Sequence, residues 1–239
     1  LMKKKILITG ASSDIGISVV EKYIEDGWNV TAHFNKNSKE LKKLKSLNDN
    51  LDILCFDFKN ISKFEKFIKR NKSFFKKFDA FISLTGLNNS KQFNLLKIND
   101  INSHLNVNYF SSLLIVKEVI SSMKNKKWGR ILLTSSIGTK FGGGKTTFAY
   151  SLSKYMNEFF PSVLKENIKH NVLYNCLRIG VTDTKIHQKV KNKNMKKRVD
   201  LIPIRRMAKT KEITEYIYFL CSSKNTQISN EVLNISGGE

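Results

Sequence analysis

Arginine is scarce, acidic residues are outnumbered, and no long apolar run occurs; each shortage closes off a class of function. Only six of the 42 basic residues are arginine (Arg70, Arg130, Arg178, Arg198, Arg205 and Arg206), against 20 acidic residues and a formal net charge of +22. Arginine's planar fork is the better partner for phosphates and bases, so a dedicated nucleic-acid surface would concentrate it. The lysines are instead spread over most predicted helices beside abundant Asn and Ile. They read as solvated faces, and no nucleic-acid partner is expected, although anionic ligands in general would be attracted. No apolar stretch approaches the roughly 18 residues of a membrane span, so no membrane partner is expected. Cys55, Cys176 and Cys221 are odd in number, scattered and without metal-ligand spacing, which predicts a reducing cytoplasm and no metal site. His33, His104, His170 and His187 are equally dispersed and read as surface or structural residues. Neither a repeat nor a long linker interrupts the 239 residues, of which 41% are hydrophobic. That suits one α/β domain over residues 1–239.

What is present alternates. Ile6-Leu7-Ile8 reads as a buried strand ending in the turn Thr9-Gly10-Ala11-Ser12-Ser13-Asp14-Ile15-Gly16, and a helix follows with Gly27 as its stop. Further strands are predicted at Trp28–Phe34, Leu51–Phe56, Phe78–Leu84, Arg130–Thr134, Asn171–Leu177 and Val232–Ile235. Helices are predicted at Lys39–Leu47, Ile61–Arg70, Ile101–Met123, Tyr150–Glu166 and Lys211–Ser222. Alternating apolar strands and helices predict an α/β, Rossmann-type doubly wound parallel sheet.

Two stretches carry chemistry. Strand, glycine turn and helix in succession form the context of a dinucleotide cradle, with the backbone N–H groups of residues 10–16 facing a pyrophosphate. The middle place of the usual three glycines is Asp14, a residue that still tolerates turns and caps helices. An NAD site usually offers an acid near the end of the second strand. Here the chain runs His33-Phe34-Asn35-Lys36-Asn37-Ser38, and Asn35, Lys36 and Ser38 suit a 2′-phosphate. NADP(H) is therefore favoured, with NAD(H) as the alternative. The second stretch is Tyr150-Ser151-Leu152-Ser153-Lys154. Residues i and i+4 share a helix face, so the Lys154 ammonium is expected to lower the Tyr150 pKa toward acid/base work near neutrality. Tyr155 has no such partner and reads as a packing residue, as does Trp28 at a strand edge. Phe93 and Leu95-Leu96 are expected beside the site.

The ordered set resembles the short-chain dehydrogenase/reductase family over essentially the whole chain. It comprises the Thr9–Gly16 turn, Asp57 after the third strand, Asn108 on its helix, Ser136 after the fifth strand, and Tyr150 with Lys154. Gly180–Thr184 and the ending Asn234-Ile235-Ser236-Gly237-Gly238 complete it. Leu201–Met207 followed by Lys211-Glu212-Ile213 looks most like the 3-oxoacyl-acyl-carrier-protein reductase group. The resemblance implies Tyr150 as the general acid, Lys154 as its electrostatic partner and ribose ligand, and Ser136 as the carbonyl-polarising donor. It implies Asn108 as the holder of a proton-relaying water. Cofactor contacts are implied at Gly10, Ser12, Ser13, Asp14, Ile15, Gly16, Asn35, Lys36, Asp57, Phe58, Gly86, Tyr150, Lys154, Gly180, Thr182 and Thr184. A homodimer or homotetramer built on the two long helices is implied as well.

Three departures bear on the substrate. The family's Asn-rich stretch reads Ser83-Leu84-Thr85-Gly86, its Pro-Gly reads Ile179-Gly180, and the Ser136-to-Tyr150 interval is one residue longer than in the carrier-protein reductases. Counting from Gly129-Arg130 selects Ser136, whereas counting back from the tyrosine admits Ser135. The expected activity is reduction of a ketone or 3-oxoacyl group, carried free, on acyl-carrier protein or on CoA. The alternatives are an oxidoreductase of a sugar or nucleotide-sugar, and a non-catalytic dinucleotide-binding protein. Lys185–Arg198 is basic where this family places its substrate lid, and reads as either an anion-attracting lid or a lysine-rich loop.

Overall fold

Seven short runs of apolar and β-branched residues pair into one sheet: β1 (Lys5–Thr9), β2 (Asn29–Phe34), β3 (Leu51–Cys55), β4 (Ala80–Ser83), β5 (Gly129–Ser136), β6 (Val172–Ile179) and β7 (Val232–Ile235). Their order is β3-β2-β1-β4-β5-β6-β7, every pair parallel. Ile6 lies opposite Val30 on one side and Ala80 on the other. The computed structural model describes residues 3–185 and 195–239. His187 and most of the expected Lys185–Arg198 lid lie outside the described residues.

Because successive strand residues point to opposite faces, β1 feeds two cores. Ile6 and Ile8 pack on one face with Val19, Val20 and Tyr23 of α1 (Asp14–Glu25), and with Ile213 and Ile217 of the last helix, Thr210–Leu220. Leu7 packs on the other with Phe64 and Ile68 of Ile61–Arg70, Phe75 of Lys72–Phe75, Phe81, and Val116 and Val119 of Ser111–Asn125. Helices cover both faces, as the doubly wound reading expects. Trp28 is buried against the Tyr23 ring. Arg130 is buried without a carboxylate, its guanidinium donating to the carbonyls of Gly129, Asn171, Ser222 and Asn225.

Two expected helices are corrected. The Ile101–Met123 helix is longer and interrupted: Ile98–Leu105, a π-helical turn over Asn106–Phe110, then Ser111–Asn125. The Tyr150–Glu166 helix is α-helical only over Phe148–Tyr155, tightens over Met156–Glu158, and resumes at Ser162–Lys165. Pro161 explains the break: it lacks an N–H and pushes the residue before it out of the helical region. Strand boundaries move by a few residues, and Gly129–Ser136 runs two residues beyond the expected end.

Candidate active site

The strands' C-terminal ends form one edge of the sheet, and β1 and β4 are neighbours there although their connections leave in opposite directions. Ligand crevices of open parallel sheets form at such a switch point. The glycine turn fills its β1 side. Gly10 has φ of +70°, and a Cβ on it would stand 2.6 Å from the Leu84 carbonyl carbon. A Cβ on Gly16 would stand 2.6 Å from the Ala11 and Gly10 oxygens. Both positions therefore require glycine. Ser13 caps α1, accepting from the Gly16 N–H at 3.0 Å while its hydroxyl donates to the Gly10 carbonyl at 2.9 Å. Asp14 opens the helix, where its charge favours the helix but opposes an anion. Its Oδ2 accepts the Lys185 N–H at 2.7 Å, and Oδ1 lies 3.7 Å from the Lys185 ammonium. The turn fits a dinucleotide pyrophosphate in backbone shape, with Asp14 as its one electrostatically opposed member.

His33 braces this turn from β2. Its Nε2 lies 2.9 Å from the Phe56 carbonyl, the Gly10 N–H donates to Nδ1 at 3.4 Å, and its ring stacks on Phe58 at 4.1 Å. These partners select the neutral tautomer protonated on Nε2. Burial lowers its pKa to about 4, against smaller opposing pulls from the Phe56 carbonyl and Asp57. Asn35 and Lys36 follow β2 on the exposed rim, Asp57 follows β3, and Gly86 follows β4 with open space around it. Gly180 follows β6, packed so closely on Ser236 that a Cβ would meet its Cα at 2.6 Å. Thr182 and Thr184 continue from it, Thr182 donating to the Gly180 carbonyl at 3.1 Å and Thr184 to the Thr182 carbonyl at 3.4 Å. All the sequence-predicted cofactor positions thus share one edge of the sheet.

On the β5 side, helix Phe148–Tyr155 presents Tyr150 and Lys154. Lys154 is buried, and its ammonium donates to the Thr85 carbonyl at 2.8 Å, the Thr134 carbonyl at 3.1 Å and the Thr134 hydroxyl at 3.3 Å. Burial lowers its pKa to about 8, slightly opposed by the Cys176 thiol. Tyr150 is half-buried, and burial raises its pKa, with the Ser136 hydroxyl bond pulling the other way. The expected lowering of the Tyr150 pKa by Lys154 is corrected here. The ammonium faces the Thr85 and Thr134 oxygens, and dehydration dominates the phenol.

The two serine candidates separate by side-chain direction. Ser136 turns to Tyr150 and accepts from the Gly138 N–H at 3.3 Å. Ser135 points to the opposite face and donates to Glu158 at 2.5 Å. That carboxylate also takes the Thr139 hydroxyl at 2.7 Å and the Arg178 guanidinium at 2.9 and 2.5 Å. Asn108 is fully buried in the π-helical turn. Its side chain accepts from the Leu87 N–H at 2.6 Å and donates to the Leu87 carbonyl at 2.9 Å and the Ser153 hydroxyl at 2.8 Å. Its side chain ties the loop after β4 to the helix Phe148–Tyr155, and its own carbonyl takes the Asn157 amide at 2.9 Å.

The family model described as short chain dehydrogenase matches residues 4–195. The chain belongs to the short-chain dehydrogenase family. It is 29% identical over 243 residues to 3-oxoacyl-[acyl-carrier-protein] reductase FabG of Buchnera aphidicola subsp. Baizongia pistaciae, covering 99% of this chain and 97% of that one. It is 27% identical over 246 residues to the uncharacterized oxidoreductase YmfI of Bacillus subtilis, covering 99% of both. Among solved structures, ElxO with NADP bound superposes with a TM-score of 0.85 at 22% identity, covering 99% of this chain and 98% of that one. The Agrobacterium tumefaciens 3-oxoacyl (acyl-carrier-protein) reductase with NADP bound gives 0.86 at 21%, covering 99% and 94%.

Several residues of this short-chain dehydrogenase's site escaped the sequence reading. Thr85 and Thr134 hold Lys154, and Ser153 links Asn108 to the Tyr150 carbonyl, donating to it at 2.7 Å. Asn157 joins Asn108 to Thr134. Its place three residues after Lys154, on the same helical face, was the available signal. Tyr155, expected to pack, is exposed, whereas Phe93 stacks edge-to-face on Phe148 at 5.0 Å, two residues before Tyr150. A cavity of about 180 Å³ lies at the opposite end of the sheet, lined by Lys5, Asn29, Asp49 and Lys77 among others, away from all of these groups. Among the described residues no helix is long and apolar enough to cross a membrane, and no cluster of metal-ligating side chains occurs.

Proposed function

We propose that this short-chain dehydrogenase is an NADP(H)-dependent reductase converting a ketone, foremost a 3-oxoacyl thioester, to its alcohol. The convergence of Ser136, Tyr150 and Lys154 beside the glycine turn carries the reading. The turn at Gly10, Ser12, Ser13, Asp14, Ile15 and Gly16 would hold the pyrophosphate. Asn35 and Lys36 would hold the 2′-phosphate, Asp57, Phe58 and Gly86 the adenosine, and Gly180, Thr182 and Thr184 the nicotinamide end. When bound, the dinucleotide supplies the hydride.

The protein's own groups manage charge and proton. When hydride adds to a carbonyl carbon, the π electrons move onto the oxygen, and the resulting alkoxide needs donors fixed in advance. Ser136 donates a hydrogen bond to that oxygen, and Tyr150 donates the proton. Burial keeps the Tyr150 phenol protonated at neutral pH, ready as an acid. Lys154, charged below a pKa of about 8, would bind the nicotinamide ribose and is the cation from which the phenolate left behind regains its proton. Asn108 holds the loop after β4 and, through Ser153, the helix that carries both groups.

Exposed Phe93, Leu95 and Phe141, with Phe93 stacked on Phe148 of the tyrosine's helix, favour an acyl chain over a sugar. Relatives named as 3-oxoacyl-acyl-carrier-protein reductases along nearly their full length support the same class. The charge of +22 suits an acidic carrier or CoA. Exposed Phe110, Tyr155, Phe159 and Val163 support a homodimer or homotetramer, and free Cys55, Cys176 and Cys221 support a reducing, cytoplasmic setting.

Following NADPH absorbance against acyl thioesters, cyclic ketones and keto-sugars tests the substrate class. Tyr150→Phe is expected to lower kcat by about 10² to 10⁴, the worth of a general acid, with NADPH affinity held within a few fold. An active Phe variant overturns the assignment. NADPH binding by the wild type with no oxidation across the panel supports a non-catalytic protein instead.

A further inference from the structure

Asn157 sits at the centre of the polar interior and has no part in the reading above. It is buried at 1% exposure, three residues beyond Lys154 on the tightened turn Met156–Glu158. Its single amide nitrogen donates to two carbonyls, that of Asn108 at 2.9 Å and that of Thr134 at 3.2 Å. The Thr134 carbonyl is the one that also accepts the Lys154 ammonium at 3.1 Å. The amide's oxygen is buried with no hydrogen-bond partner. Flipping the amide would aim that oxygen at two carbonyls and take the amide donor away from both, so the contacts fix the orientation. A buried acceptor left unpaired is unfavourable. Asn157 is therefore held by its two donor contacts, against the cost of its own carbonyl.

We propose that Asn157 is a positioning residue for Lys154, clamping the π-helical turn at Asn108 to the end of β5 and sharing the Thr134 carbonyl with the lysine ammonium. This rests on the reading of Tyr150 and Lys154 as the proton-transferring pair. Two donors on one oxygen divide its electron density, so the amide weakens the hold of that carbonyl on Lys154. Burial already destabilises the ammonium, and the shared acceptor works in the same direction. The titratable neighbours are few. Tyr150 lies one turn back on the same helix, and the Cys176 thiol faces Lys154 from β6, pushed up to about 12 by burial and so uncharged at working pH. Glu158 and Arg178 pair with each other beyond it.

Removing the amide returns the Thr134 carbonyl to Lys154, so the lysine should hold its proton to higher pH. In Asn157→Leu the alkaline limb of log kcat against pH is expected to move up by about half a unit to one unit, part of the worth of a hydrogen bond to a charged group. Asn157→Asp, which sets a carboxylate in the same place, should move the limb further in the same direction. A folded Leu or Asp variant with an unmoved limb overturns the proposal and leaves Asn157 a packing residue. Should both variants fail to fold, the wild type with ¹⁵N-labelled asparagine decides. The Asn157 side-chain amide resonance is expected to shift with a midpoint matching Lys154, and a flat profile through that range overturns the coupling. Retained activity in Tyr150→Phe would instead remove the reading beneath it, a separate result from an unmoved limb.

Discussion

Lys154→Met should expose how much stability this protein gives up to keep its lysine. The wild-type ammonium is buried, and its pKa is lowered to about 8 from an ordinary 10.5, chiefly by burial. Between those values the unfolded chain binds more protons than the folded one, so stability rises with pH in that window. At pH 7 the penalty is about 3.4 kcal/mol, from 2.5 units at about 1.4 kcal/mol each. By pH 9.5 the folded lysine is almost wholly neutral and about 1.4 kcal/mol of penalty remains. The wild type should thus gain about 2 kcal/mol on Lys154→Met between pH 7 and 9.5. Lost hydrogen bonds to Thr85 and Thr134 and any misfit of the methionine are common to both pH values, so they cancel in that difference. Urea denaturation of both proteins at several pH values measures it. Parallel stability curves would refute a strongly depressed lysine, and a gain of opposite sign would refute burial as its cause. Turnover should be lost in the variant throughout, making Lys154 a case of stability exchanged for activity.

Two further outcomes follow from the ion pairs. Burial raises the Glu158 pKa, but the Arg178, Ser135 and Thr139 donors outweigh it and hold the carboxyl below its ordinary value. Its stabilisation is present above the unfolded pKa of about 4.3 and lost as pH falls through the folded value. Glu158→Gln should therefore cost on the order of 3 kcal/mol at pH 7, with the difference from wild type shrinking below pH 4; a constant difference in urea denaturation would exclude the pair as its source. Asp14→Asn keeps an acceptor for the Lys185 N–H but removes the carboxylate from the helix start, and should tighten NADPH binding about two- to fivefold. Unchanged affinity by fluorescence titration would show that Asp14 lies outside the field of the phosphates.

The sequence by itself determined the sheet. Strands buried on both faces read as apolar runs, so the seven strands and their alternation with helices were legible, as were the glycine turn and the Tyr150–Lys154 spacing. Pro161 was legible too, yet helical periodicity on either side masked its break. The rest depended on groups distant in the chain. The π-helical turn at Asn108 shows no signal in its own residues, because Leu87, 21 positions away, takes its side chain. Ser135 and Ser136 are indistinguishable in composition, and only the strand's alternation assigns one to Glu158 and the other to Tyr150. Lys154 was expected to act on Tyr150 four residues away. Tertiary structure gave its ammonium instead to oxygens of Thr85 and Thr134, 69 and 20 positions away. Periodicity and spacing report which face a side chain occupies. Which acceptor a buried charge finds, and hence its pKa, is decided by what the other strands bring to that face.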